Sequence, residues 1–227
     1  MRTAAILPVK RFAAAKSRLG ESVADELRGR LARAMVADVL SALDRAESIE
    51  RTIVVTREPS LPELARGGDA LLIEDLAEDG QSAAVALGVR RALAEGFQRV
   101  LCIPGDCPAL DSAELDALLA LDEAPVVVVP DRHGTGTNGL LLTPPDAIDP
   151  AFGPGSCERH RALARAAGLQ CSLAHPPSLL LDVDTGADLR ALRERLDDAA
   201  AAAAQRTRAV LGQPGSNSEI ITIDSVG

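Results

Sequence analysis

Three groups of side chains in this sequence have the types and spacing for chemistry. The first is LPVKRFAAAKSRL (7–19), which carries Lys10, Arg11, Lys16 and Arg18 within nine residues. The chain as a whole has a net charge of −9, so this local knot of cations stands out. Such a knot suits a polyphosphate, with lysine acting as a point charge and arginine as a bidentate fork. A solvated basic loop is the competing explanation. The second group is acidic. PGDCPAL (104–110) sets Asp106 in a turn, and LLLDVDTGADL (179–189) sets Asp182 and Asp184 two residues apart. On a strand that spacing puts both carboxylates on one side. Asp106 with Asp184, or with Asp182, would make a two-carboxylate site for Mg²⁺, which binds through one or two carboxylates plus substrate phosphates. Helix capping by Asp and Thr185 is the structural alternative.

The third group is a set of polar loops. EDGQSAA (78–84) opens a helical stretch, and Gly80, Gln81 and Ser82 could face a base or sugar with backbone N–H groups and polar side chains. DRHGTGTNG (131–139) frees the backbone at Gly134 and Gly136 and offers Thr135, Thr137 and Asn138. FGPGSCERH (152–160) puts Ser156 at the start of a helix, a place that accepts phosphates and carboxylates. Two such loops beyond the basic one point to a second anionic substrate. His133 and His160 read as loop and helix-face residues.

Short β-rich runs alternating with amphipathic stretches must position these groups. Strands are expected at 3–7, 51–56, 70–75, 98–103, 125–130, 140–143, 170–174 and 178–183. Helices are expected at 22–46, 61–66, 80–95, 111–121, 155–167 and 186–197, from apolar residues at helical spacing and from caps such as Asp111. PVVVVP (125–130) is apolar throughout, as for a strand buried on both faces. The alternation predicts an α/β fold, a mostly parallel sheet with helices on both faces and a mixed edge. In such sheets ligands sit beyond the carboxyl ends of the strands, where the basic loop and Asp106 fall. One nucleotide-handling domain is expected over 1–198. Residues 199–227, which begin with six alanines, are expected to be a helix extension and a flexible tail without a catalytic role.

Composition excludes several classes. The chain has 227 residues and is 47% hydrophobic, enough for one full core. It has three Phe and no Tyr or Trp, so aromatic stacking on nucleic-acid bases is not available. Its negative charge also argues against a nucleic-acid partner. Cys102, Cys107, Cys157 and Cys171 form no zinc-type spacing with His133, His160 or His175 and read as free thiols of a reducing cytoplasm. No apolar run has membrane-spanning length, and the N-terminus does not read as a signal peptide. There is no GxxxxGK[ST], no GxGxxG after the first strand and no GxSxG.

LPVKRFAAAKSRL, PDRHGTGTNGLLL (130–142), FGPGSCERH and LDVDT (181–185), in this order, resemble the guanylyltransferases of coenzyme F-420 biosynthesis. Those enzymes act on 2-phospho-L-lactate, phosphoenolpyruvate or 3-phospho-D-glycerate. The resemblance spans about residues 3–196. It implies a Rossmann-like nucleotidyltransferase fold, GTP as nucleotide donor, a Mg²⁺ requirement and a product that passes to a downstream transferase. It implies that Thr137, Gly153 and Ser156 hold the acid, and that Asp106 and Asp184 are the metal positions. Asn138 lies beside these acid-binding positions, and Lys10, Lys16 and Arg18 would offset charge on the departing pyrophosphate. The chain departs from many relatives at Cys107, where they carry Leu. Which acid is used, and whether the chain forms a homodimer, stay open.

The attacking group would be a phosphate monoester, which is largely dianionic at neutral pH because its second pKa is ~6. No general base is then needed, in keeping with the lack of an evident catalytic His or Ser. Two other readings remain. A nucleotidyltransferase of the molybdenum-cofactor or sugar-phosphate type would carry a Gly-rich loop after the first strand, and this chain has no Gly before Gly20. A non-catalytic nucleotide-binding domain would bind GTP without releasing pyrophosphate.

Overall fold

The computed structural model describes residues 1–14, 19, 25–121, 124–198 and 203–212. Its centre is a seven-stranded sheet ordered β3-β2-β1-β4-β6-β5-β7. The strands are β1 (Thr3–Val9), β2 (Arg51–Thr56), β3 (Ala70–Glu74), β4 (Arg99–Cys102), β5 (Val126–Pro130), β6 (Thr137–Leu142) and β7 (Cys171–Leu173). The pairs β3–β2, β2–β1, β1–β4 and β5–β7 are parallel, and β6 runs antiparallel to both β4 and β5. The expected α/β sheet is therefore present. Its mixed half comes from one reversed strand inserted between β4 and β5.

Alternation along each strand divides the core. Ala5 and Leu7 of β1 join Leu101, Val127 and Leu141 on one face. There they pack under α1 (Asp25–Arg45) and α4 (Ser112–Ala120), through residues such as Val39, Leu43, Leu115 and Leu118. Ala4 and Ile6 point the other way, with Val100, Val128 and Leu140. They meet Val85 and Val89 of α3 (Gln81–Ala94) and Ala164 of α5 (Ser156–Ala166). This period-two division is what a sheet covered on both faces requires. The outer side of α1 packs with α6 (Gly186–Asp198) through Leu31, Met35, Leu189 and Leu192. As expected from the sequence, Asp111 caps α4, its carboxylate accepting from the N–H groups of Ala113 and Glu114 at 2.8 and 3.2 Å.

Four elements differ from expectation. The strand expected at 178–183 is a 3-10 turn (Pro177–Leu179) followed by an unpaired extended stretch. Pro176 and Pro177 favour the turn, and the Glu114 carboxylate holds it by accepting from Ser178 N–H at 2.7 Å. β6 begins at Thr137, three residues earlier than expected, so Thr137 and Asn138 lie on a strand and not in a loop. The short helix α2 (Leu61–Leu64) stops two residues early. Within the expected flexible tail, Gln205–Leu211 form helix α7, which docks on α1. Its N-terminus is held by Asp38, a 5%-exposed carboxylate that accepts from the N–H groups of Arg206 and Thr207 at 3.1 and 2.8 Å. A carboxylate at a helix N-terminus satisfies donors that the helix leaves open. Residues 199–202 and 213–227 lie outside the described residues.

Asp38→Ala should cost about 1–2 kcal/mol and lower the melting temperature by roughly 2–8 °C, followed by circular dichroism. An unchanged melting temperature would mean that α7 does not contribute to the stability of the domain.

Candidate active site

The parallel strands β1, β2 and β4 end on the same side, and the segments leaving them line a cleft of about 520 Å³. Cavities of roughly 300–1,000 Å³ accommodate small organic ligands. The loop after β1 contributes Lys10 and Arg11. Its backbone is pinned by the end of β2 and the segment after it: Thr56 donates its hydroxyl to the Val9 carbonyl at 2.8 Å, and Glu58 accepts from Phe12 N–H at 2.8 Å. Burial tends to raise the Glu58 carboxyl, but hydrogen bonds from Ser60 and Phe12 outweigh it and hold it below its ordinary value. Arg11 pairs with Glu78 at 3.1 Å, as does Arg57 at 3.4 Å. These are exposed pairs, worth little in stability. Among the described residues Lys10 has no ion pair. Gly80 and Gln81, at the start of α3, also line the cleft. Lys16 and Arg18 lie outside the described residues.

At the end of β4 the cleft meets an acidic cluster. One ligand atom each from Asp106, Asp182 and Asp184 lies within 4.8 Å of the others. The sequence left Asp182 and Asp184 as alternatives; the fold supplies both. Val183 N–H donates to the Asp106 carbonyl at 3.0 Å, which stitches the extended stretch to the turn after β4. Asn138 Nδ2 donates to the Leu179 carbonyl at 2.8 Å and to Asp182 Oδ1 at 3.1 Å. Burial and then the neighbouring Asp106 push the Asp182 carboxyl up from its ordinary value, against the bond from Asn138. Asp188 anchors the far end, accepting from the N–H groups of Asp184 and Thr185 at 3.1 and 2.7 Å and from the Thr185 hydroxyl at 2.8 Å. Burial tends to raise the Asp188 carboxyl, yet these bonds and the charge of Arg132, its ion-pair partner, hold it down. The expected Thr185 cap is thus one half of a reciprocal box, with Thr185 Oγ1 accepting from Asp188 N–H. Sequence reasoning missed Asp188 and Arg132, although the T-x-x-D spacing at 185–188 was a signal for the former.

Hard carboxylate oxygens are the donors that Mg²⁺ prefers, and its sites draw remaining ligands from water and substrate phosphates. Asp106 and Asp184 line the cleft that also holds Lys10, Asp182 lies beside them, and three carboxylates so placed fit that ion. Carboxylates this close repel one another, which a divalent cation would relieve.

A second polar cluster lies on the other face of β6. Because side chains alternate along a strand, Asn138 points to Asp182 while Thr137 points to α5. Thr137 Oγ1 is 3.1 Å from His160 Nδ1 and accepts from Ser156 Oγ at 3.0 Å. Thr137, Ser156 and His160 are 7%, 1% and 0% exposed. None of them lines the cleft described above. Gly153 and Gly155 take φ of +110° and +72°, conformations that shape the FGPGS turn and that side chains rarely adopt. Arg159 closes the turn, donating to the carbonyls of Ala151 and Pro154 at 3.1 and 3.0 Å. Ser82 is not a lining residue of the cleft; its Oγ accepts from Phe152 N–H at 2.9 Å and so ties the start of α3 to this turn. His160, read from the sequence as a helix-face residue, is buried, and its imidazole is pushed down to about 4 by burial and then by the charge of Arg159. Among the described residues no helix is long and apolar enough to cross a membrane.

Residues 3–201 match the family described as guanylyl transferase CofC like. The chain is 51% identical over 216 residues to a phosphoenolpyruvate guanylyltransferase of Conexibacter woesei, covering 94% of this chain and 96% of that protein. It is 37% identical over 188 residues to a 3-phospho-D-glycerate guanylyltransferase of Phenylobacterium zucineum, covering 81% and 86%. Its fold is similar to that of a proposed nucleotide-diphospho-sugar transferase from Desulfovibrio desulfuricans G20, with a TM-score of 0.77, 21% identity and full coverage of both chains.

The acidic cluster yields a prediction that does not depend on turnover. Millimolar MgCl₂ should raise the melting temperature of the wild type, because an ion that binds only the folded state stabilises it. The double variant Asp106→Asn, Asp184→Asn should lose that shift. An equal shift in both proteins, read by differential scanning fluorimetry, would remove these carboxylates from a metal site.

Proposed function

The chain belongs to the CofC-like guanylyl transferase family, and from that premise we propose that it transfers GMP from GTP to the phosphate of a small phosphorylated carboxylic acid. The observation that carries this reading is the cluster of Asp106, Asp182 and Asp184 at the end of β4, of which Asp106 and Asp184 line the cleft that also holds Lys10 and Arg11. Phosphoenolpyruvate is the acid favoured by the name of the 51%-identical relative, and 3-phospho-D-glycerate by that of the 37%-identical one. Like the family to which it belongs, the chain is placed by this proposal in coenzyme F-420 biosynthesis, handing its nucleotide product to a downstream transferase in the cytoplasm.

In the proposed reaction a phosphate oxygen of the acid bonds to the α-phosphorus of GTP. The bond from that phosphorus to the bridging oxygen of the β-phosphate breaks, and pyrophosphate leaves. The nucleophile already carries its charge, so no side chain has to remove a proton. Asp106 and Asp184, with Asp182, would hold Mg²⁺, which when bound supplies charge neutralisation and polarisation at the phosphates. Lys10 offers a compact positive charge to the triphosphate, and Lys16 and Arg18 are proposed to join it as pyrophosphate forms. Gly80 and Gln81 offer α3 N-terminal groups to the nucleoside. Ser82 serves the reaction indirectly, by fixing the FGPGS turn. Thr137, Gly153 and Ser156 would shape the acid site, and Asn138 acts through Asp182. Catalysis of this kind is positioning and electrostatics.

The test crosses four nucleoside triphosphates with phosphoenolpyruvate, 3-phospho-D-glycerate and 2-phospho-L-lactate, reading product masses and pyrophosphate. A GMP adduct of one acid, formed from GTP and reduced by orders of magnitude in Asp106→Asn, is expected. GTP binding without pyrophosphate release for any acid would overturn the proposal in favour of a non-catalytic domain.

A further inference from the structure

His160 is completely buried at the end of a line of hydrogen bonds whose direction can be counted. Its Nε2 lies 2.9 Å from Ala151 N–H, a group that can only donate. Nε2 must therefore accept, and a neutral ring then carries its proton on Nδ1. Nδ1–H donates to Thr137 Oγ1 at 3.1 Å. Thr137 Oγ1 also shares a bond with Ser156 Oγ at 3.0 Å. The two hydroxyls hold two hydrogens, and the bond between them uses one. The imidazole occupies an acceptor position and takes none. One hydroxyl hydrogen of the pair is therefore left with no acceptor among these three side chains. Reversing the tautomer would turn Nδ1 into an acceptor and draw that hydrogen back into the protein.

We propose that His160 is a positioning residue that sets the direction of the Thr137–Ser156 pair, so that the pair presents a hydrogen-bond donor to the anionic acid substrate. The inference rests on the proposed role of Thr137 and Ser156 in holding the acid. Burial favours the neutral ring, and the edge of Phe152, with ring centroids 5.1 Å apart, limits its rotation. Ala151 N–H belongs to the segment entering the FGPGS turn, so the same ring ties that turn to β6. His160 does not itself need to touch the acid.

Two near-isosteric variants separate the ring's two jobs. His160→Asn keeps an N–H near the Nδ1 position, and His160→Gln keeps an acceptor near Nε2. Pyrophosphate release is measured for the full chain with phosphoenolpyruvate, and separately with 3-phospho-D-glycerate, each varied at saturating GTP, and with GTP varied at saturating acid. His160→Gln should raise the KM for the acid by about fivefold, the scale of the lost neutral hydrogen bond that directs Thr137, with the KM for GTP little changed. His160→Asn should stay near the wild-type KM for the acid. Equal effects on both substrates, or an Asn variant worse than Gln, would overturn the proposal. Long-range ¹H–¹⁵N NMR of the wild type tests it independently of variant folding and of turnover. The ring should be protonated at Nδ1 and not at Nε2, and the opposite tautomer would overturn the inference. A wild type inactive with every acid would instead overturn the proposed function, leaving the NMR result to decide the role of His160.

Discussion

Three carboxylates held within 4.8 Å of one another repel, and much of the architecture around β4 exists to keep them there. One backbone bond makes the cluster possible. Val183 N–H on the Asp106 carbonyl fixes the extended stretch 181–184 to the turn after β4, although that stretch belongs to no sheet. Asn138 reaches from β6 to hold Asp182, and Asp188 clamps the backbone at Asp184 and Thr185. Arg132 in turn pairs with Asp188, so the loop before β6 also bears on the cluster. Like charges at this spacing repel, and a cation placed among them would offset that repulsion.

The reversed strand β6 links this cluster to the second polar site. Its neighbours β4 and β5 run the other way, so β6 begins at the edge where they end. Its first two residues therefore stand at the ligand edge, one on each face of the sheet. Asn138 serves the carboxylates, and Thr137 serves Ser156 and His160. A parallel strand in that place would start at the opposite edge. Ser82, bonded to Phe152 N–H, makes a further link between the start of α3 and the FGPGS turn. The start of α3, the FGPGS turn and the start of β6 are thus joined by short, specific bonds.

Much of this was legible in the sequence, for physical reasons. Apolar alternation and helical spacing placed the parallel half of the sheet, and the strand-end rule then pointed to Lys10, Asp106 and the 182–184 pair. What escaped depended on long-range contacts. LLLDVD reads as a strand by composition, but a Pro-Pro turn held by Glu114 keeps it out of the sheet. His160 reads from the sequence only as a helix-face residue, and the fold shows it buried between Ala151 N–H and Thr137. The alanine-rich segment hid α7, whose one local sign was Asp38 among the apolar residues of α1. Lys16 and Arg18, which the sequence grouped with Lys10, lie outside the described residues.

The central claim is that the three carboxylates hold a divalent cation together with the triphosphate in one cleft. Mn²⁺, which shares the oxygen preference of Mg²⁺, tests it most directly by electron paramagnetic resonance. The titration is run with the non-reacting analogue α,β-methylene-GTP on the wild type and on Asp182→Asn. The account predicts protein-bound Mn²⁺ in the wild type that tightens when the analogue is added, and a marked weakening in the variant. Mn²⁺ binding that is indifferent to both the nucleotide analogue and the loss of the Asp182 charge would contradict it.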